Sequence, residues 1–276
     1  MGAMSLESRS AMRDYYDELG ADEWLRLTRD LPGRASFEVH RRFLTRFVRP
    51  GARVLEVGAG PGRFTQVLAE LGARIVVTDF SPVQLDLNRT YIGGTPAESA
   101  VESRELLDVC DPSRFADGEF DVVLAYGGPL SYAFERTDEA LLGLLRIARP
   151  DGVVVASVMS TLGSWRHLLP GAVGVAAEHG EDANDAVLRT GDLRHVGARH
   201  VCQMFRAREV EDLVARCGAR VLGASASNWA SLGDPAALAE LEADPVRWER
   251  FLANEVAACA EPGALDGGTH LMFAAR

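Results

Sequence analysis

Val54-Leu55-Glu56-Val57-Gly58-Ala59-Gly60-Pro61-Gly62-Arg63-Phe64 is the stretch from which the fold of this chain can be read. A mostly apolar strand runs into glycines at alternate positions, and a helical pattern follows. Glycine lets the chain turn tightly there and lets a ligand lie against bare backbone amides beside a helix N-terminus. The rival pattern is the dinucleotide-binding loop G-x-G-x-x-G. Begun at Gly58, it requires glycine at position 63, where Arg63 stands. The glycine that would let helix and strand pack closely is therefore missing, which argues against NAD or FAD.

Outward from the loop, strand and helix patterns alternate. Strands are predicted at 53–57, 74–78, 104–107, 121–126 and 152–159, with helices at 62–71, 82–91 and 138–148 between them. The runs RVLEV, RIVVT, DVVLA and GVVVAS are nearly continuous apolar segments, the mark of a parallel sheet covered by helices on both faces. Ahead of the loop, residues 11–28 and 35–48 carry helical spacing, and Pro50-Gly51 breaks the chain. After Ser160 the alternation stops, and 161–200 is mixed, polar and without clear periodicity. Such a stretch inside a compact domain signals a functional element or a local subdomain. A helix at 206–217, a strand at 219–225, a long helix within 234–259 and a last strand at 269–275 complete the pattern.

The glycine loop resembles motif I of class I S-adenosylmethionine (SAM)-dependent methyltransferases, E/D-x-G-x-G-x-G, with Glu56, Gly58, Gly60 and Gly62 all in place. The resemblance implies an α/β, Rossmann-like fold. Its seven-stranded, mostly parallel sheet would carry helices on both faces, with N-terminal helices and an insertion after the fifth strand. It also implies SAM as cofactor and S-adenosylhomocysteine (SAH) as product, with the glycine backbone facing the amino-acid end. Glu56 either touches the ligand or braces the loop from beneath. Asp79, at the tip of the second strand in Thr78-Asp79-Phe80-Ser81, can accept both ribose hydroxyls, and the matching acid of the family does so. Phe80 then packs near the adenine. Ser81, counted with this cofactor-binding set, is also the better N-cap for the helix that starts at Pro82.

Further landmarks follow in order. In Leu106-Leu107-Asp108-Val109-Cys110-Asp111, Asp108 with the Val109 amide matches the family's adenine contact, with Asp111 as competitor. Ala125 and Tyr126, at the end of Phe120-Asp121-Val122-Val123-Leu124-Ala125, open the segment to Tyr132 that would line the sulfonium and methyl; Asp121 is expected to be structural. Arg149-Pro150-Asp151-Gly152 resembles the family's R-P-G-G turn, with Asp151 replacing a glycine that Asp can stand in for. The resemblance is firm over 53–159 and weaker at the terminal strand pair.

The domain reading is 1–50 as an N-terminal helical lid, 51–160 as the SAM-binding core, 161–205 as a substrate cap and 206–276 as the rest of the core. In the first helix, a tyrosine, Tyr16 by preference over Tyr15, would reach the cofactor; packing on the core is the alternative. Trp24 and Arg26 read as structural. Methyl transfer needs alignment and sometimes a base, and no nucleophile is required. His167, His179, His195 and His200 fall in the insertion, without the tight spacing of metal ligands. His200, where the insertion returns to the core, is the first candidate base or acceptor contact and His195 the second; no metal is expected.

A formal charge of -11, with every basic residue an Arg, disfavours polyphosphate partners. The N/D-P-P-Y/F acceptor motif of amino-methylating nucleic-acid enzymes is absent, and Tyr126-Gly127-Gly128-Pro129-Leu130 stands in its place. Both point to a small-molecule acceptor rather than nucleic acid. Scattered cysteines, the absence of an apolar membrane span and the lack of a leader pattern make a cytoplasmic protein without membrane attachment the expectation. Met1–Met4 resembles a cloning scar ahead of a native Met4. Trp248, Phe251 and Leu252 share a helix face that could pack on the sheet or on a second subunit in a homodimer. Two other functions stay open: SAM-dependent chemistry other than methyl transfer, and a non-catalytic SAM-binding regulatory subunit.

Overall fold

The computed structural model describes residues 6–196 and 200–276, with 6–11 as backbone alone; Met1–Met4 lie outside the described residues. Seven strands form one sheet in the order β3-β2-β1-β4-β5-β7-β6. They are β1 (Arg53–Val57), β2 (Arg74–Asp79), β3 (Val101–Leu106), β4 (Phe120–Ala125), β5 (Ala148–Met159), β6 (Val221–Ala226) and β7 (His270–Ala275). β7 runs antiparallel between β5 and β6, and the other pairings are parallel. The expected seven-stranded, mostly parallel α/β sheet is therefore present.

Alternate residues of each central strand feed opposite cores. Leu55, Val123, Val154 and Phe273 pack on one face with Leu141 and Leu144 of α6 (Thr137–Ile147) and Leu213 of α10 (Ala207–Arg216). Val54, Val122, Val155 and Met272 pack on the other with Phe43 of α3 (Leu31–Leu44), Leu68 of α4 (Arg63–Glu70) and Leu85 of α5 (Pro82–Ile92). Burial on both faces is why these strands read as nearly continuous apolar runs. The strand order reverses between β1 and β4, which opens a crevice beyond their carboxyl ends, where ligands bind in open α/β sheets.

Outside the sheet the sequence expectations need adjustment. The first predicted helix is two, α1 (Leu6–Leu19) and α2 (Asp22–Arg26), because Gly20 turns the chain at a φ of 51°. α3 starts earlier than expected, where Asp30 accepts from the Gly33 amide at 2.7 Å and Pro32 occupies the first turn. The long C-terminal helix is broken into α11 (Pro235–Glu242) and α12 (Pro245–Cys259), with Asp244 capping the second ahead of Pro245. α12 lies against α3 of the same chain: Leu252 is buried, and Arg42 reaches Glu249 at 2.7 Å.

The insertion carries regular structure that its sequence pattern hid. It forms α7 (Thr161–His167), α8 (Leu169–His179) and α9 (Glu181–Thr190). α8 has apolar or small residues on every face up to Glu178 and buries none of them, so no 3.6-residue alternation marks it. No described helix is long and apolar enough to cross a membrane.

Candidate functional site

β1 delivers the glycine loop to the crevice. Gly58 and Gly60 sit at φ of 70° and 53°, a region that side chains with a Cβ rarely adopt. Both glycines, with Ala59 and Pro61, face a cavity at the carboxyl ends of β1, β2 and β4. Gly62 does not reach that cavity. Its φ is 107°, and a Cβ there would meet the Asn88 amide and Ile92 at 2.8 Å, so its glycine serves close packing on α5.

Glu56 is also beneath the loop. It is buried, accepts from the Thr65 hydroxyl at 2.7 Å and does not line the cavity; Asn88 donates to the same hydroxyl at 3.0 Å. Burial, with the Asp79 charge adding to it, pushes the Glu56 carboxyl up to about 8. Of the two roles open to Glu56, this geometry is that of the brace.

Asp79 stands on the cavity wall. One carboxylate oxygen accepts from the Gly60 amide and the other from the Ser81 amide, both at 2.8 Å. Burial raises its carboxyl to about 6 despite these two donors. Ser81 accepts from the Gln84 amide at 3.0 Å as the N-cap of α5, and its hydroxyl donates to Asp17 of α1. Phe80, partly exposed, lines the cavity beside them. Asp108 and Val109 line its far side, whereas Asp111 does not. Tyr126 faces the cavity from the end of β4, its hydroxyl donating to the His40 carbonyl at 3.3 Å. Ala125, expected beside it, instead points into the sheet core and is fully buried, because alternate strand residues face opposite sides.

Gln84 is a wall residue that sequence reasoning missed. Its amide nitrogen donates to the Tyr16 carbonyl at 2.7 Å, while its Oε1 is buried with no hydrogen-bond partner. That acceptor sits 3.8 Å from where a Gly60 Cβ would be. A buried acceptor without a donor costs free energy unless a ligand donor reaches it. A carboxylate with lone pairs to spare, an unsatisfied amide oxygen and a side-chain-free loop fit a ligand rich in hydroxyl and amino donors, which SAM is.

The N-terminal helices form the cavity's outer wall through Met12, Tyr16, Glu23 and Arg26. Arg26, expected to be structural, lines this wall with its Nε donating to Glu23 at 2.7 Å. Trp24 has the structural role expected of it, stacking on Tyr91 with ring centroids 4.5 Å apart.

A second cavity of about 430 Å³ lies under the insertion and shares Tyr16, Glu23, Arg26, Gly127 and Tyr132 with the first. At this junction the Tyr16 and Tyr132 hydroxyls are 2.5 Å apart, and Tyr132 Oη is 2.9 Å from His200 Nε2. Burial, reinforced by the Arg26 charge, holds His200 below the ordinary imidazole value, so the ring is neutral near pH 7. Both tyrosines are pushed above the ordinary phenol range by burial. His195 is exposed and lines neither cavity; its short 3-10 turn faces it outward. His167 and His179 are exposed as well. Among the described residues no cluster of His, Cys, Asp and Glu could hold a metal ion.

Residues 55–156 match the family described as Methyltransferase domain. A demethylmenaquinone methyltransferase of Beutenbergia cavernae is 35% identical over 119 residues, 41% of this chain and 43% of that protein. The ribosomal RNA large subunit methyltransferase E of Archaeoglobus fulgidus is 34% identical over 94 residues, 33% of this chain and 43% of that protein. The chain thus spans less than half the length of these relatives. Among solved structures, the 1,6-didemethyltoxoflavin-N1-methyltransferase of Burkholderia thailandensis, with bound 1,6-didemethyltoxoflavin and SAH, superposes with a TM-score of 0.57. It is 18% identical and aligns over 100% of this chain and 91% of its own, a likeness of fold.

Proposed function

We propose, from the match of residues 55–156 to a methyltransferase-domain family, that the whole protein transfers a methyl group from SAM to a small-molecule acceptor held beneath the 161–205 insertion. In this reading 1–50 is the lid, 51–160 and 206–276 are the core, and 161–205 is the cap. The observation that carries it is the meeting of two cavities at Tyr16 and Tyr132, one walled by the glycine loop and Asp79, the other by the insertion.

The cofactor, when bound, supplies a methyl carbon made electrophilic by its sulfonium. Asp79 and Gln84 hold hydroxyl and amino donors, Asp108 and the Val109 amide take the adenine, and Phe80 packs beside it. The Gly58–Gly60 backbone, Arg26 and Glu23 frame the amino-acid end. Tyr126, Gly127 and Tyr132 bound the junction where acceptor and methyl meet. His200, neutral and 2.9 Å from the Tyr132 hydroxyl, takes the acceptor's proton through that hydroxyl. Walls from α1, α2 and the insertion would hold the acceptor in place at the junction.

The ribosomal RNA relative raises a nucleic-acid acceptor. A net charge of -11 and an apolar second cavity favour a small molecule.

Calorimetric titration of SAH into the wild type and Asp79→Ala tests the cofactor half. Binding to the wild type that weakens at least about tenfold in the variant is expected. A folded wild type that ignores SAH would overturn the proposal. A screen with methyl-labelled SAM against small molecules and RNA tests the acceptor half. Label in RNA alone would overturn the small-molecule assignment, and SAH binding without transfer to either would move the protein to non-methyltransfer or regulatory roles.

A further inference from the structure

The second cavity has a chemical character of its own. Its lining is largely apolar, supplied by Leu168, Val175, Val187, Leu188 and Met204 of the insertion and by Met159 at the end of β5. Its rim is apolar too: Trp165 is 43% and Leu168 57% exposed at the α7–α8 edge.

The ionisable groups that face this cavity carry no charge to spare. Arg26 is paired with Glu23 at 2.7 Å. His200 is held neutral by burial and by Arg26, and the same causes push His270 down to about 3. Cys202 is buried and pushed up to about 12, so it remains a thiol. Of the smaller polar groups, the Thr269 hydroxyl meets His270 Nδ1 at 3.2 Å and Ser164 donates to the Thr269 carbonyl at 3.4 Å, and Asn184 and Thr161 add neutral groups to the lining. A carboxylate, phosphate or ammonium entering here would leave water without meeting a free counter-charge among the described residues. That arrangement penalises an ion far more than a neutral molecule.

Polar capacity remains at the junction, in the chain Tyr16–Tyr132–His200. Resting on the reading of this cavity as the acceptor site, we propose that the acceptor is an uncharged, largely apolar molecule bearing a phenolic or enolic hydroxyl, which is the atom methylated. Its ring system fills the apolar chamber and its hydroxyl meets Tyr132. On transfer the acceptor O–H bond breaks and an O–CH3 bond forms as the S–CH3 bond breaks, its electron pair staying on sulfur and SAH being the leaving group. The acceptor's proton passes to the Tyr132 oxygen as the Tyr132 proton passes to His200 Nε2, leaving an imidazolium that returns its proton to water.

Matched probes test the class without turnover. 2-Naphthol, 2-naphthoate and 2-naphthylmethylammonium share one ring system and differ in charge at pH 7. Each is titrated calorimetrically into the full chain with and without saturating SAH. The expected result is 2-naphthol binding at least about tenfold more tightly than either ion. Leu188→Glu, which places a carboxylate on the apolar wall, is expected to narrow or reverse the gap between 2-naphthol and the ammonium. An ion that binds the wild type as tightly as 2-naphthol would overturn the proposal, as would failure of all three probes at millimolar concentration. Failure of SAH alone sinks the cofactor reading separately, since the ranking of the probes without SAH still reports on the cavity.

Discussion

Arg63 lies 3.7 Å from the centre of the Trp24 ring and donates from Nε to the Trp24 carbonyl at 2.8 Å. It also reaches the Thr28 hydroxyl at 3.2 Å, and Trp24 itself stacks on Tyr91. The residue that stands where a dinucleotide loop needs glycine is thus the one that fastens α2 to the core. Cation–π contact and a charge-assisted hydrogen bond act together there.

Arg63→Ala is therefore expected to loosen α2, which carries Glu23 and Arg26 to the cavity, while leaving the sheet intact. SAH affinity should fall about tenfold, with new proteolytic cleavage near residues 20–30 and a change in Tm of no more than a few degrees. Calorimetry and limited proteolysis of the folded variant check this. Unchanged affinity and protection would show that the clamp is dispensable.

Asp79 accepts hydrogen bonds as a carboxylate, and burial raises its carboxyl to about 6. Cofactor hydroxyls need the ionised acceptor, so SAH affinity should decline as pH falls through that value. Between pH 7.5 and 5 a loss of roughly tenfold is expected for the wild type. Asp79→Asn should bind more weakly at pH 7.5 and show little pH dependence over the same range. Parallel slopes for the two proteins would assign the titration elsewhere.

Glu56 has its carboxyl raised from 4.5 to about 8 by burial, with no cation beside it. A raised acid binds more protons folded than unfolded, so its burial costs nothing at low pH. The cost grows as pH rises from the unfolded value toward the folded one. Glu56→Gln, neutral and still able to accept from Thr65, should gain stability relative to the wild type on going from pH 5 to 8. The gain is on the order of 3 kcal/mol. Urea unfolding of both proteins across that range measures it, and a difference independent of pH would refute a titrating Glu56.

Tyr132→Phe removes the hydroxyl between Tyr16 and His200, and His200→Asn removes the base. With an acceptor returned by the labelled screen, each should lower kcat about 100-fold, and KM should change less. The double variant should lose scarcely more than either single one, because the two act as one unit. Independent, multiplicative losses would argue against transfer through Tyr132.

The strands and the glycine loop could be read because their signals are local. A strand covered on both faces is mostly apolar along its length, and a turn at positive φ favours glycine. RVLEV and RIVVT, and the glycine spacing from Gly58 to Gly62, therefore report their structure directly. Asp79 at the end of its strand and Ser81 as N-cap were legible for the same reason.

What spacing could not supply was direction. Gly60 and Gly62 look alike in the sequence, yet one faces the cavity and the other packs on Asn88 and Ile92. Ala125 and Tyr126 are neighbours that point to opposite sides of β4, and His195 and His200 lie five positions apart with only His200 inward. α8 escaped notice because a helix apolar all round has no period.

Residues within a few positions of one another were enough to specify the mostly parallel sheet, the glycine loop and the acid at its edge. The tertiary structure alone decided the junction. Tyr16 meets Tyr132 across 116 residues, and Tyr132 meets His200 across 68. Such contacts arise only when segments distant in the chain come together over the crevice, and no local propensity encodes them.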